Sequence, residues 1–236
     1  MIEKTKTITF LSTGILGSAI DQPSPAKTMI PDWYKKMDMS VNGRFLREGH
    51  KAFLQQTMKS CVPVLDYLCS GYIITAPCDI LVTTRGGVSE FSWNLNGPLI
   101  EMHGQSQTEG TPYENKLTYK INSPWYVKTP KGYSCLFLKP QYLDTKGIDV
   151  LPAVVDTDGY HQVNFPFHYN PKDTSDGEVV IPIGTPVMQV VPFKREAWVS
   201  EVGNLSKEQL EREAVSYNTV FKNFYRNLFH VKKSYR

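Results

Sequence analysis

No run of apolar residues approaches the ~20 that a helix needs to cross a bilayer, so a helical membrane span is not expected. The stretch from Ile8 to Ile20 is broken by Ser12, Thr13, Gly14, Gly17 and Ser18 and lacks a cleavage region. No secretory leader is expected there. Cysteine is scarce. Cys61, Cys69, Cys78 and Cys135 contain no Cys-x-x-Cys pair, which speaks against a zinc site and for reduced thiols in a cytosol. An excess of one charge is missing too: 26 Lys and Arg stand against 23 Asp and Glu, and a net of +3 does not by itself call for nucleic acid. No two of the five histidines are two residues apart, as a His-x-His iron site requires. His161 and His168 differ by an odd number, so one strand would turn them to opposite faces, and no metal is expected. There is no Gly-x-Ser-x-Gly elbow for a nucleophile. Arg85-Gly86-Gly87 lacks the Lys-Ser/Thr of a phosphate loop and reads as a hairpin turn.

Turn formers and aromatics, by contrast, are plentiful. Sixteen Pro, sixteen Gly and 12% aromatics suit a β-rich chain, and 236 residues with 41% apolar content can bury a full core. Residues 21–40, with Pro23, Pro25 and Pro31, read as an extended arm that ends in the aromatic knot Ile30-Pro31-Asp32-Trp33-Tyr34. Pro63 to Cys69 reads as a short helix, stopped by Gly71 in the left-handed conformation. Strand candidates follow from Tyr72 to Trp93, then at 98–102, 116–121, 124–128, 133–138, 152–156, 161–168, 178–182 and 186–192. The division expected is a proline-containing arm over 1–50, a β-rich core over 51–203 and a C-terminal helix over 204–236.

That last segment opens on a capping box, Ser206 with Gln209, and has Glu208, Glu211 and Glu213 near its start. Leu210, Ala214, Tyr217, Phe221, Phe224 and Leu228 follow as one apolar stripe, for packing on the β-domain or for self-association. Residues 207–236 carry seven Lys and Arg against three Glu, a local +4 (7 − 3). A basic helix of this kind is the basis for nucleic-acid binding as a third functional reading. Trp33, Tyr34, Trp125, Tyr126, Tyr133 and Tyr142 would serve as stacking platforms if exposed, although aromatics in a β-rich core are the default.

The most informative motif is Ile148-Asp149-Val150, followed by Val154-Val155-Asp156 and Tyr160 around an acidic turn. Upstream lies Pro130-Lys131-Gly132-Tyr133; downstream lie Asn170 and Gly184-Thr185-Pro186-Val187-Met188-Gln189. In this order and spacing, residues 126–195 resemble the dUTPase and dCTP deaminase family. The resemblance implies a mainly β fold, a dUTPase-like β-clip or distorted barrel, to which the residues themselves add a short N-terminal helix and a long C-terminal amphipathic helix. It also implies a trimer. In the family the Asp matched by Asp156 orients the attacking water, and the Tyr matched by Tyr160 stacks on the deoxyribose. Gln189 matches the closing motif, and Lys139 is placed to supply charge toward a ligand. Pro25-Ala26-Lys27 with Ile30-Pro31-Asp32-Trp33-Tyr34-Lys35-Lys36-Met37 resembles uncharacterised proteins of tailed bacteriophages.

The phosphate motif of the family, Pro-Arg-Ser-Gly, has no counterpart. After Pro140 the chain reads Gln141-Tyr142-Leu143, without the glycine for close backbone approach or the cation for developing charge. The glycine-rich closing arm and the deaminase Arg-Ser-Ser with its Glu have no match either. The first expectation is therefore a non-catalytic phage-type structural or binding protein, homo-oligomeric, in a host cytoplasm or a virion, with other phage structural proteins as partners and no cofactor. The alternative is a diverged nucleotide-binding or nucleotide-hydrolysing enzyme, with Asp156 as the catalytic residue and Mg²⁺ as the accompanying ion. Asp156 and Asp158 also have a purely architectural reading, as acidic residues that hold their own turn.

Overall fold

Apart from three pairs of consecutive strands, the strand-forming segments pair with strands that are not their immediate neighbours in sequence, and every pairing among the described residues is antiparallel. The computed structural model describes residues 5–12, 20–48, 51–172, 175–212 and 225–236. It is mainly β, as the sequence leads one to expect. It divides into two compact units, one from the described parts of 1–29 and 71–195 with Tyr235, the other from those of 30–70 and 196–234 with Arg236. No helix among the described residues is long and apolar enough to cross a membrane.

The first unit contains three sheets. Strands β1 (Thr9–Ser12) and β2 (Ser24–Pro25) come first in the chain. After β3 and β4, which belong to the other unit, come β5 (Tyr72–Thr75), β6 (Ile80–Arg85), β7 (Val88–Trp93) and β8 (Ile100–Met102). Next are β9 (Thr118–Lys128), β10 (Tyr133–Leu138), β11 (Ile148–Val150) and β12 (Ala153–Val155). The series ends with β13 (Gln162–Tyr169), β14 (Gly177–Ile181) and β15 (Pro186–Lys194). One sheet runs β1-β9-β13-β11 with β8 also on β9, a second runs β12-β10-β15-β5-β2, and a third runs β14-β6-β7.

Alternation of buried and outward residues explains the pairing. On β13, Val163, Phe165 and Phe167 turn inward, and on β9 Tyr119, Ile121, Trp125 and Val127 do the same. Phe91 of β7 meets Tyr119 and Phe167 edge-on, with ring centroids 4.8 and 5.8 Å away. Phe137, Phe165 and Phe167 are almost wholly buried. Each is worth about 1.5–3 kcal/mol relative to an exposed ring.

Two sequence expectations change here. The strands expected at 116–121 and 124–128 are one continuous strand, β9. Asn122 and Tyr126 of β9 face Asn164 and Gln162 of β13, so β9 spends four residues where β13 spends two. The surplus forms a bulge that accommodates Pro124, which has no N–H to give a ladder. Ser123 Oγ accepts from the Trp125 N–H at 3.0 Å and steadies it. The arm over 21–40 is likewise not simply extended. It contains β2, a 3₁₀ turn at Ala26–Met29 and the one-turn helix α1 (Asp32–Lys36).

The expected turns hold. Gly86 and Gly87, with φ of 57° and 80°, make the two-residue hairpin between β6 and β7. Gly71 has φ of 70°, and a Cβ there would lie 2.0 Å from the Val190 carbonyl oxygen. Only glycine permits β5 to begin that close to β15.

The second unit pairs β3 (Ser40–Glu48) with β4 (Lys51–Gln56), followed by a 3₁₀ turn at Met58–Ser60 and helix α2 (Val62–Leu68). The aromatic knot docks within this unit. Tyr34 is buried, and Lys59 Nζ sits 4.7 Å over its ring while donating to the Tyr34 carbonyl at 2.8 Å. At the other end, the Ser206 N–H donates to Gln209 Oε1 at 2.8 Å and the Gln209 N–H donates to Ser206 Oγ at 3.2 Å, the reciprocal capping box. Residues 207–212 are helical, and Tyr225–Phe229 forms a π turn. Ala214, Tyr217, Phe221 and Phe224 of the expected stripe lie outside the described residues.

Candidate functional site

The acidic turn follows directly from β12, and its neighbours are set by the register of β10. Cys135 faces Val155 across that pair, which brings Ser134 opposite Asp156. The turn closes on itself, the N–H groups of Gly159 and Tyr160 donating to the Asp156 carbonyl at 3.0 and 2.9 Å. Below it, Thr157 is fully buried; its hydroxyl lies 2.7 Å from that of Thr129, and its N–H donates to the Val155 carbonyl. Thr157 Oγ1 also reaches Cys135 Sγ at 3.3 Å. Burial pushes the Cys135 thiol up to about 11, against the pull of the Thr157 hydroxyl, so it is an inert core thiol and no nucleophile.

Arg195, the residue after β15, closes over the turn. Its Nη1 and Nη2 donate to Oδ1 and Oδ2 of Asp158 at 2.9 and 2.5 Å, a bidentate fork. Nη1 also lies 3.1 Å from Asp156 Oδ1 and 3.2 Å from Ser134 Oγ. The Ser134 hydroxyl donates to Asp156 Oδ1 at 2.6 Å, and the Gly132 N–H donates to Asp158 Oδ2 at 2.8 Å. The Arg195 N–H then returns to the Gly132 carbonyl at 2.9 Å. Turn, hairpin start and chain exit are thus tied in one polar knot.

The charges follow from this geometry. The Ser134 hydroxyl, and after it Arg195, hold the Asp156 carboxyl below its ordinary value, with Asp158 opposing. Arg195 and the Gly132 N–H bring Asp158 down to about 2. A general base works best with a pKa near the operating pH, and both carboxylates are displaced the other way. What the arrangement does chemically is hold two anions ionised against one cation.

The remaining sequence candidates lie elsewhere. Tyr160 is at the turn but projects into solvent, 61% exposed. Gln189 is buried in β15, between Leu138 of β10 and Ile73 of β5. Lys139 follows Leu138 and pairs with Asp149 at 3.1 Å. Ser134 and Leu138 are four residues apart on β10, about 14 Å at ~3.4 Å per residue. Within one chain, Asp156 and Tyr160 therefore stand at one end of β10, and Lys139 and Gln189 at the other.

Arg195 was not singled out by the sequence reading. It lies 37 residues from Asp158, and its one local signal is a cation directly after a strand that starts at a Gly-x-Pro. Among the described residues, no three of His, Cys, Asp and Glu come together as a metal site. Of the candidate stacking platforms, Tyr34 and Trp125 are buried, whereas Trp33 is 41% exposed.

No protein family and no curated protein matches the chain. Among solved structures it is similar to the dUTPase of Staphylococcus bacteriophage 80alpha with dUPNHPP, at 11% identity over 86% of this chain and 90% of that one, TM-score 0.38. It is also similar to the dUTPase of phage phi11 of S. aureus, at 13% identity over 72% of this chain and 93% of that one, TM-score 0.32. Likeness at this level says nothing of activity.

Proposed function

We propose that this chain is a non-catalytic structural or binding protein of phage type, built on a dUTPase-like scaffold and assembled as a homo-oligomer, a trimer first of all. The observation that supports this reading is the engagement of Asp156. Its carboxylate, the one candidate for activating water, accepts from Ser134 and pairs with Arg195, and it is more acidic than usual. The residues that would hold a triphosphate after Pro140 are not there, since Gln141-Tyr142-Leu143 takes their place. The resemblance of the segment from Pro25 to Met37 to tailed-phage proteins supports the phage setting, and with it a host cytoplasm or a virion and other phage structural proteins as partners.

Thermal unfolding in the presence of each deoxynucleoside triphosphate and Mg²⁺ tests the reading. Ligand at a hundred times its dissociation constant adds about 2.7 kcal/mol of stability, a readily measured rise in melting temperature. The expectation is no rise for any nucleotide. A saturable rise that is lost in Asp156→Asn overturns the proposal.

A further inference from the structure

The second unit contains a cavity of its own, away from the acidic turn. Its volume is about 270 Å³, and every residue that lines it belongs to that unit. Val62 and Pro63, at the start of α2, form one part of the wall, and Gln56 at the end of β4 and Ser60 form another. Tyr225 and Arg226 complete it from the opening of the π turn. There the His230 N–H donates to the Tyr225 carbonyl, five residues back, at 2.9 Å. Such wide turns are rare and are often found at functional sites.

The polar groups on this wall are unequally engaged. The Ser60 hydroxyl donates to the Met39 carbonyl at 2.7 Å. The Arg226 guanidinium and the Gln56 carboxamide have no hydrogen-bond or ion-pair partner among the described residues. No carboxylate among those residues lines the cavity. Asp66, further along α2, is already engaged by His230 at 3.0 Å and Lys233 at 2.5 Å. Two free donor groups therefore share one cavity with no counter-charge in it. A guanidinium presents a planar fork that matches the two oxygens of a carboxylate, and a carboxamide NH₂ adds a further donor. Val62, Pro63 and the Tyr225 ring supply apolar surface beside them.

We infer that this cavity binds a small monocarboxylate, its two oxygens on Arg226 and Gln56 and its apolar body against Val62, Pro63 and Tyr225. One guanidinium neutralises one charge. A dianion would keep a charge without a counter-ion, and a neutral amide would forgo the ion pair. The volume is about nine times the ~30 Å³ share of one water and just below the ~300–1,000 Å³ of sites for drug-sized ligands. It suits an acid of the size of benzoate. The inference goes beyond the role proposed above and does not depend on whether Asp156 is catalytic.

The test is a titration of the ¹⁵N-labelled full chain with benzoate, its neutral counterpart benzamide and the dianion phenyl phosphate, at one ionic strength. The Val62 amide, the Gln56 side-chain NH₂ and the Arg226 Nε–H serve as reporters. Benzoate is expected to shift all three saturably, benzamide to bind at least about tenfold more weakly, and phenyl phosphate no more tightly than benzoate. Arg226 is exposed, so Arg226→Gln leaves the core untouched. It is expected to weaken benzoate at least about tenfold, the effect of losing a charge-assisted pair. Gln56→Ala is expected to weaken it about threefold and reads the same site if the first variant misfolds. The inference is overturned if benzoate moves none of these signals at millimolar concentration, or if benzamide binds as well as benzoate. It is equally overturned if phenyl phosphate binds more tightly, or if the folded variants bind benzoate as well as the natural chain.

Discussion

Arg195 and Asp158 face each other as a two-point ion pair, Nη1 to Oδ1 at 2.9 Å and Nη2 to Oδ2 at 2.5 Å, across 37 residues of sequence. The pair fixes where the chain leaves β15 relative to the turn after β12, and it draws Asp156 into the same knot at 3.1 Å. A turn held this way is a structural joint.

The joint sets an acid dependence. Asp158 titrates at about 2 in the folded chain against an ordinary 3.8, so its stabilising contribution is complete above about 4 and is lost as pH falls through about 2. Asp156, lowered chiefly by the Ser134 hydroxyl, adds in the same direction. Arg195→Gln should raise the Asp158 midpoint toward 3.8 and make acid unfolding less steep between those values. Carbon-detected NMR titration of the aspartate carboxyls measures it. An Asp158 midpoint still near 2 in the variant would show that Arg195 is not the cause.

Gly71 and Gly86 both have positive φ, but only Gly71 is crowded. A Cβ at Gly71 meets the Val190 oxygen at 2.0 Å, whereas one at Gly86 meets nothing within 4 Å. Gly86→Ala should cost about 1–2 kcal/mol, the penalty of the left-handed region alone. Gly71→Ala should cost clearly more, because the β5–β15 pairing must shift as well. Urea unfolding of the two variants side by side decides it, and equal losses would contradict the close approach.

Asp66 on α2 gathers the end of the chain, accepting from His230 Nε2 at 3.0 Å and from Lys233 Nζ at 2.5 Å. Burial alone would raise its carboxyl, but the Lys233 and His230 bonds outweigh that and lower it. Asp66→Asn should loosen residues 230–233, and trypsin should cut after Lys232 or Lys233 roughly fivefold faster, the effect of about 1 kcal/mol in the opening equilibrium. Unchanged cleavage rates would show that the last residues are held by other contacts.

Local chemistry was legible in the sequence wherever one short stretch carries its own reason. Gly86-Gly87 needs no distant partner to make a hairpin, Ser206 and Gln209 cap each other three residues apart, and Pro63 with Gly71 frames α2. Pro124 misled, because a proline reads as a break and only the pairing with β13 shows the bulge that absorbs it. The pairing of β3 with β4 was not legible either, since Asn42, Gly43 and Arg44 interrupt any alternation of apolar residues. For the site, the motif order located the acidic turn but grouped Asp156 with Lys139 and Gln189, which the length of β10 keeps apart within one chain. Arg195 was invisible because its partners are set by how β15 and β12 flank β10, a relation with no trace in local spacing.

The central claim is that Asp156 serves the joint and no reaction. Its most direct test is a hydrolysis assay of the natural chain and of Asp156→Asn with each deoxynucleoside triphosphate and Mg²⁺, at enzyme concentrations that would detect a few turnovers per hour. The expected result is no pyrophosphate or phosphate release above buffer from either protein. Release by the natural chain that disappears in Asp156→Asn would contradict the claim and make the turn an active site.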